Sequence, residues 1–201
     1  MNRTIYHIAV WLFLCTILSC SYSKKFTQNY YRENESTLLS IRDRFKKLYD
    51  KTPFSLEIKG VNLKTLGMEI HTDSIKYIYS FSMDEPNLSD TLHKYKFDVT
   101  AMSELIHDMQ KTHCTWITNL DYYEKLEKKF LVFISVRDKK LNVFLRPEKY
   151  FTLVFFDQPQ SFDEKGRILD KEDLKTIRLI NGGVFRKINE KVGYALTGKY
   201  R

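Results

Sequence analysis

The sequence predicts an α+β fold: antiparallel sheet built from two β-meanders, with packed helices and a C-terminal hairpin. Three observations carry this. Short apolar runs alternate with period two and are separated by tight turn signals, as in "FSLEIKG", "LGMEIHT" and "SIKYIYSFS". A second set of strand-like runs, "FLVFISV", "LNVFLR" and "YFTLVFFD", is joined by "RDKK" and "PEK", and connections this short favour antiparallel neighbours. Two stretches instead carry apolar residues at steps of three and four, the signature of amphipathic helices. Tight turns between consecutive strands argue against a doubly wound parallel sheet.

Taken in order, residues 21–33 show neither period and are expected to form a tether. From 35 to 50 the apolar positions Leu38, Ile41, Phe45 and Leu48 fit a helix, which Asn34 or Ser36 can cap and Pro53 stops. Strands are predicted at 54–59, 66–72 and 74–82, the last with Ile75, Tyr77, Tyr79 and Phe81 on one face. Residues 83–97 are polar, hold Pro86 and read as a loop. Val99, Met102, Ile106, Met109 and His113 then mark a helix opened by Asp98. "TWITNL" predicts a short strand, and "DYYE" (121–124) a capping box opening a short helix to about 128. The meander at 130–136, 141–146 and 150–157 follows. A polar loop spans 158–170, with a helical turn near 171–175. A hairpin is expected on the Asn-Gly of "NGG" (181–183), and a last strand over 192–198. The two halves, about 34–97 and 98–201, share an order of elements without visible identity.

Composition bounds the class. With 43% hydrophobic residues the chain is too apolar to be disordered, and seven glycines and four prolines among 201 residues exclude a linker-dominated protein. The formal charge is +8, yet the basic residues are dispersed and interleaved with acids, so no polyanion-binding run exists.

The amino terminus carries an address. Arg3 precedes an apolar core from Ile8 to Leu18, with small or polar residues from Ser19 to Ser23, the layout of an export signal. The core is shorter than the roughly 20 residues a membrane-spanning helix needs. The core ends in Ile17-Leu18-Ser19-Cys20, which resembles the lipobox of bacterial lipoproteins, although Leu is more usual at its first position. The resemblance covers only the first 20 or so residues. It implies cleavage before Cys20, acylation of its thiol, and a membrane anchor in the cell envelope. The expected organisation is a signal peptide at 1–19, a tether at 20–33 and one globular domain at 34–201. Ordinary secretion, with cleavage after Ser21 or Ser23, is the rival. On the lipoprotein reading Cys15 leaves with the signal, Cys20 is modified and Cys114 stands alone, so the fold must do without an intrachain disulfide.

Chemistry is sparse. "HDMQKTHC" brings His107, Asp108, His113 and Cys114 into one stretch, and His107, His113 and Cys114 are the candidates for metal ligation. Four-ligand spacing is absent and no second cluster matches, so the expectation is no metal site. A Cys–His nucleophile pair would need proximity that sequence does not supply, and a buried inert thiol is the simpler reading of Cys114. The acidic stretch 163–173 lacks the pattern of a calcium loop. No phosphate loop, G-x-S-x-G or H-E-x-x-H occurs. No catalytic residues and no cofactor are therefore expected. The expected role is a non-catalytic, membrane-anchored binding protein for an envelope partner or ligand, with no nucleic-acid function. The alternatives are a hydrolase whose residues converge only in space, and an assembly subunit. An exposed row at Tyr77 and Tyr79 would favour the binding role.

Overall fold

The computed structural model describes residues 28–60, 62–83, 85–124, 127–137, 150–168 and 185–197. The chain divides into two compact units, Met1–Glu35 and Ser36–Arg201. In the first, residues 28–35 are helical. The Tyr31 hydroxyl donates to Glu35 Oε1 at 3.0 Å, and the Asn34 amide donates to the Tyr30 carbonyl at 2.9 Å. The helix, α1, spans residues 28–49, so residues 28–33 are helical where the sequence suggested a tether. Tyr–Glu and Asn–carbonyl bonds across one turn supply local support that an apolar-periodicity reading does not register.

Among the described residues the second unit is built on one antiparallel sheet of eight strands of mixed length, flanked by helices. The strands are β1 (Phe54–Lys59), β2 (Thr65–His71), β3 (Lys76–Ser82), β4 (Cys114–Glu124), β5 (Glu127–Arg137), β6 (Tyr150–Phe156), β7 (Arg186–Lys187) and β8 (Val192–Thr197). Their spatial order is β3-β2-β1-β4-β5-β6-β8-β7. Helices α2 (Asn87–Lys94) and α3 (Val99–Lys111) lie between β3 and β4 in sequence. The α+β class expected from sequence is the class observed.

Registers show what each face does. One row runs Tyr79–Met68–Leu56–Ile117–Ile134–Leu153–Tyr194 across seven strands. This apolar face receives the helices. Leu38, Ile41 and Phe45 of α1 and Met102, Leu105 and Met109 of α3 are fully buried. Phe45 meets Phe54 at 4.9 Å between centroids, and Tyr49 meets Phe130 edge-on at 5.5 Å, which seats α1 on β1 and β5. Arg44 joins α1 to α3 by contacts of 2.7 Å to Asp108 and 3.1 Å to Glu104.

The adjacent row on the other face reads Ser80–Gly67–Glu57–Trp116–Ser135–Thr152–Ala195. It is polar over β3, β2 and β1. Over β5, β6 and β8 this face carries a second apolar cluster of Leu131, Phe133, Val154, Phe156, Phe185 and Ala195, against which Trp116, Leu120 and Ile168 pack. Burial on both faces explains why "FLVFISV" and "YFTLVFFD" are apolar at nearly every position.

Three further sequence expectations give way. Residues 87–94, expected as loop, form α2, with Pro86 in helical geometry just before the first turn and Leu92 buried. Proline fits a helix start because its missing N–H would have no partner there. The helix expected from "DYYE" is absent: these residues extend β4, which pairs back on β5 from Cys114↔Val136 to Glu124↔Glu127. Asp121, expected to cap, instead receives Lys128 Nζ at 2.7 Å across the hairpin. Finally, β5 and β6 bond directly, from Leu131↔Phe156 to Arg137↔Tyr150, so no third strand lies between them. Segment 141–146, the helical turn near 171–175 and the hairpin at 181–183 lie outside the described residues.

Candidate functional site

The β2–β3 hairpin ends one side of the sheet. At its turn the Thr72 hydroxyl donates to the Ile75 carbonyl (2.8 Å) and accepts the Ile75 N–H (3.2 Å), while the Thr72 N–H also donates to the Ile75 carbonyl (3.0 Å). At the other end the Met83 N–H donates to the Lys64 carbonyl at 2.9 Å. Hydrogen-bonded pairs alternate along an antiparallel ladder. The pairs facing β2 are therefore Ile70–Tyr77, Met68–Tyr79 and Leu66–Phe81 within the observed register. The backbone groups of Lys76, Ile78, Ser80 and Ser82 consequently point away from β2. Among the described residues β3 has a strand neighbour on one side only.

This edge is also apolar. Ile75 is 55% exposed, Tyr77 38% and Ile78 72%, and these are the exposed large hydrophobic side chains among the described residues. Tyr77 and Tyr79 share the helix-bearing face with Tyr95, which follows α2. Tyr77 lies 5.8 Å and Tyr79 6.0 Å from the Tyr95 ring, and the hydroxyls of Tyr79 and Tyr95 are 2.7 Å apart. Tyr79 also stacks on Phe81 at 5.8 Å, and Lys94 Nζ lies 5.3 Å over the Tyr95 ring. The hydrogen bond from Tyr79, with some desolvation and the neighbouring phenols, pushes the Tyr95 hydroxyl up to about 12. Tyr79 is thus engaged within the fold, while Tyr77 and Ile78 face solvent on opposite faces.

The polar face beside the edge holds a charge array. Lys76 contacts Glu69 at 3.0 Å, and Lys59 contacts the nearly buried Glu57 at 3.3 Å. His71 stands 3.8 Å from Glu69, but burial first and Lys76 second hold its pKa below the usual value. Near neutral pH this contact is therefore no ion pair. Gly67 lies beside Glu57, and a Cβ there would stand 3.4 Å from the Glu57 Cβ, so the glycine leaves the buried carboxylate its space.

The residues singled out from sequence are placed as follows. Cys20 lies outside the described residues. His107 is exposed on α3. His113, just past the Thr112 cap of α3, takes φ of 56° and leads directly into β4, and its carbonyl accepts the Arg137 N–H at 3.1 Å. Cys114 is fully buried, with its Sγ 3.1 Å from the Thr112 hydroxyl. Asp108 is held by Arg44. Among the described residues no three His, Cys, Asp or Glu side chains are placed to hold a metal ion. In the acidic stretch Asp163 accepts from both the Arg167 N–H (2.7 Å) and its Nε (2.8 Å), and these bonds, the backbone one foremost, lower its pKa.

Sequence reasoning singled out Tyr77 and Tyr79 but missed Ile78 and Tyr95. The signal for Ile78 is visible in hindsight: it is an isoleucine on the otherwise polar face of "SIKYIYSFS". No family model, no curated protein and no solved structure matches the chain. No helix among the described residues is long and apolar enough to cross a membrane.

Proposed function

We propose that the protein is an envelope lipoprotein, held to a membrane by acylated Cys20, whose folded domain binds a protein partner without catalysis. The anchoring reading is supported by the export signal and the lipobox-like Ile17-Leu18-Ser19-Cys20. The binding reading is carried by one observation: the exposed apolar side chains Tyr77 and Ile78 lie on one edge strand, with Ile75 immediately before it. Edge strands are ordinarily blunted by charge, proline or bulges, because their free backbone groups template further pairing. β3 has only Lys76 as a charge, and Glu69 engages it. An edge left apolar and open is the structural basis of recognition by strand addition.

Two measurements test the two halves separately. Intact-mass analysis of membrane extracts should show the chain starting at Cys20 and carrying acyl chains. A Cys20→Ala chain that is still processed and still sediments with membranes overturns the anchoring. For binding, a photoreactive phenylalanine analogue replaces Tyr77 in the full chain, with the exposed Glu164 position as control. A discrete adduct at 77 and none at 164 is the expected result. Equal adducts at both positions, or none at 77, overturns the binding reading.

A further inference from the structure

We infer that the partner taken by β3 is a second copy of this chain, added antiparallel about a two-fold axis through Ile78. This rests on the reading of the edge as a binding surface and adds its occupant. The carrying observation is symmetry in the strand itself. Around Ile78 the sequence reads Tyr77-Ile78-Tyr79, the same in both directions. A closed two-fold interface must be self-complementary, each patch meeting its own copy.

The register follows from the backbone. The outward groups belong to Lys76, Ile78 and Ser80, and an antiparallel two-fold can pass through the centre of a hydrogen-bonded pair. With the axis at Ile78, the two Ile78 residues exchange both N–H···O=C bonds. Lys76 of each copy does the same with Ser80 of the other. On the polar face the two most exposed apolar side chains, 72% exposed in each copy, then cover one another. On the helix-bearing face Tyr77 of each copy stands opposite Tyr79 of the other, the aromatic cross-strand pairing that stabilises sheets. Ile75, 55% exposed just before the strand, falls opposite Phe81 of the second copy.

Charge agrees with this register. Each Lys76 faces a serine. The two Lys76 residues are displaced by four positions along the ladder, roughly 13 Å at about 3.3 Å per residue. That exceeds the screening length of about 8–10 Å in physiological salt. Each lysine is already paired with Glu69 of its own chain. Shifting the axis to Lys76 would instead place like charges directly opposite, which disfavours that register.

The interface is short. Seven residues a side bury less than the ~1,200 Å² typical of stable complexes, so association is weak in dilute solution. Anchoring both copies to one bilayer through Cys20 compensates by raising the effective concentration, as flexible tethers do, to the order of millimolar.

Cysteine cross-linking reads the register. The full chain is expressed with Ile78→Cys, Lys76→Cys or Ser80→Cys, and membranes are treated with copper phenanthroline. The Ile78→Cys chain should form a covalent dimer, as should Lys76→Cys co-expressed with Ser80→Cys. Ser80→Cys alone should yield at least about tenfold less, because its two Cα atoms then lie far beyond the ~7 Å limit for a disulfide. Comparable yields from all three single variants, no dimer from Ile78→Cys, or a cross-link only to a different protein overturns the self-pairing. The unaltered chain run in parallel separates the readings: a dimer there reports an unacylated Cys20 and counts against the anchoring, not the edge. Repeating the Ile78→Cys experiment on the purified full chain at about millimolar concentration reads edge pairing without the bilayer.

Discussion

The Tyr79–Tyr95 hydroxyl pair is the point where the edge strand is fastened to the helical layer. Its 2.7 Å contact favours the neutral phenol of Tyr95, whose pKa rises from 10.0 to about 12. A group with a raised folded-state pKa contributes stability that is fully present below the unfolded value and is lost as pH rises through the folded one. The pair therefore supports the fold up to about pH 10, and that support disappears between pH 10 and 12. In Tyr79→Phe the hydrogen bond that chiefly raises the Tyr95 pKa is gone. Absorbance titration at the tyrosinate band should then show one phenol ionising closer to 10.0 than in the parent chain. At neutral pH the loss of this hydrogen bond should lower the denaturant midpoint slightly. An unchanged titration curve would remove the pair as the cause.

At the scale of elements, α2 shows both what alternation misses and where the fold carries strain. Its end is unusual: the Phe97 N–H donates to the Leu92 carbonyl at 2.9 Å, and Lys96 takes φ of 58°, a left-handed position usually given to glycine. Lys96 is exposed, so its side chain has little packing to lose. Lys96→Gly should raise stability by about 0.5–1 kcal/mol, read as a higher denaturation midpoint at unchanged m-value. A lower midpoint would show that the side chain itself holds the turn. Elements with strong periodicity and a cap were legible: β1, β2, β3 and α3, whose Asp98 side chain accepts the Ala101 N–H at 3.0 Å as its position suggested. α2 was not legible, because at eight residues it shows little more than two turns and its start is marked by Pro86, which also signals a loop. "DYYE" failed for the opposite reason: its local capping pattern competes with tyrosines that suit strands, and pairing with β5 decides the outcome. The candidate site was legible only in part. The sequence shows the Tyr-Ile-Tyr repeat, but whether β3 lies at an edge or in the middle is decided by the order of eight strands, which no local pattern encodes.

For the second unit as a whole, the decisive feature is that β5 and β6 serve two cores at once. Ile134 and Leu153 face the layer built with Phe45 of α1, while Phe133 and Val154 face the second cluster with Phe185. Both rows lie on the same two strands, so neither core can be lost while the other keeps its shape. Cooperative packing of this kind holds the unit together; its one cysteine, Cys114, is fully buried, with its Sγ beside the Thr112 hydroxyl. Two truncations test the coupling. Phe45→Ala removes a fully buried ring from the helical side, and Phe133→Ala removes one, 3% exposed, from the other. Each should destabilise by about 3–5 kcal/mol. Both should leave a single unfolding transition, with far-ultraviolet and near-ultraviolet dichroism changing together as two-state behaviour requires. Separate transitions in the Phe133→Ala chain would mean that the second cluster is an independent unit resting on the sheet. Coincident ones would show that the sheet transmits loss of either core across its full thickness. With that coupling, the stability of the β3 edge depends on residues several strands away, along the row from Tyr79 to Tyr194.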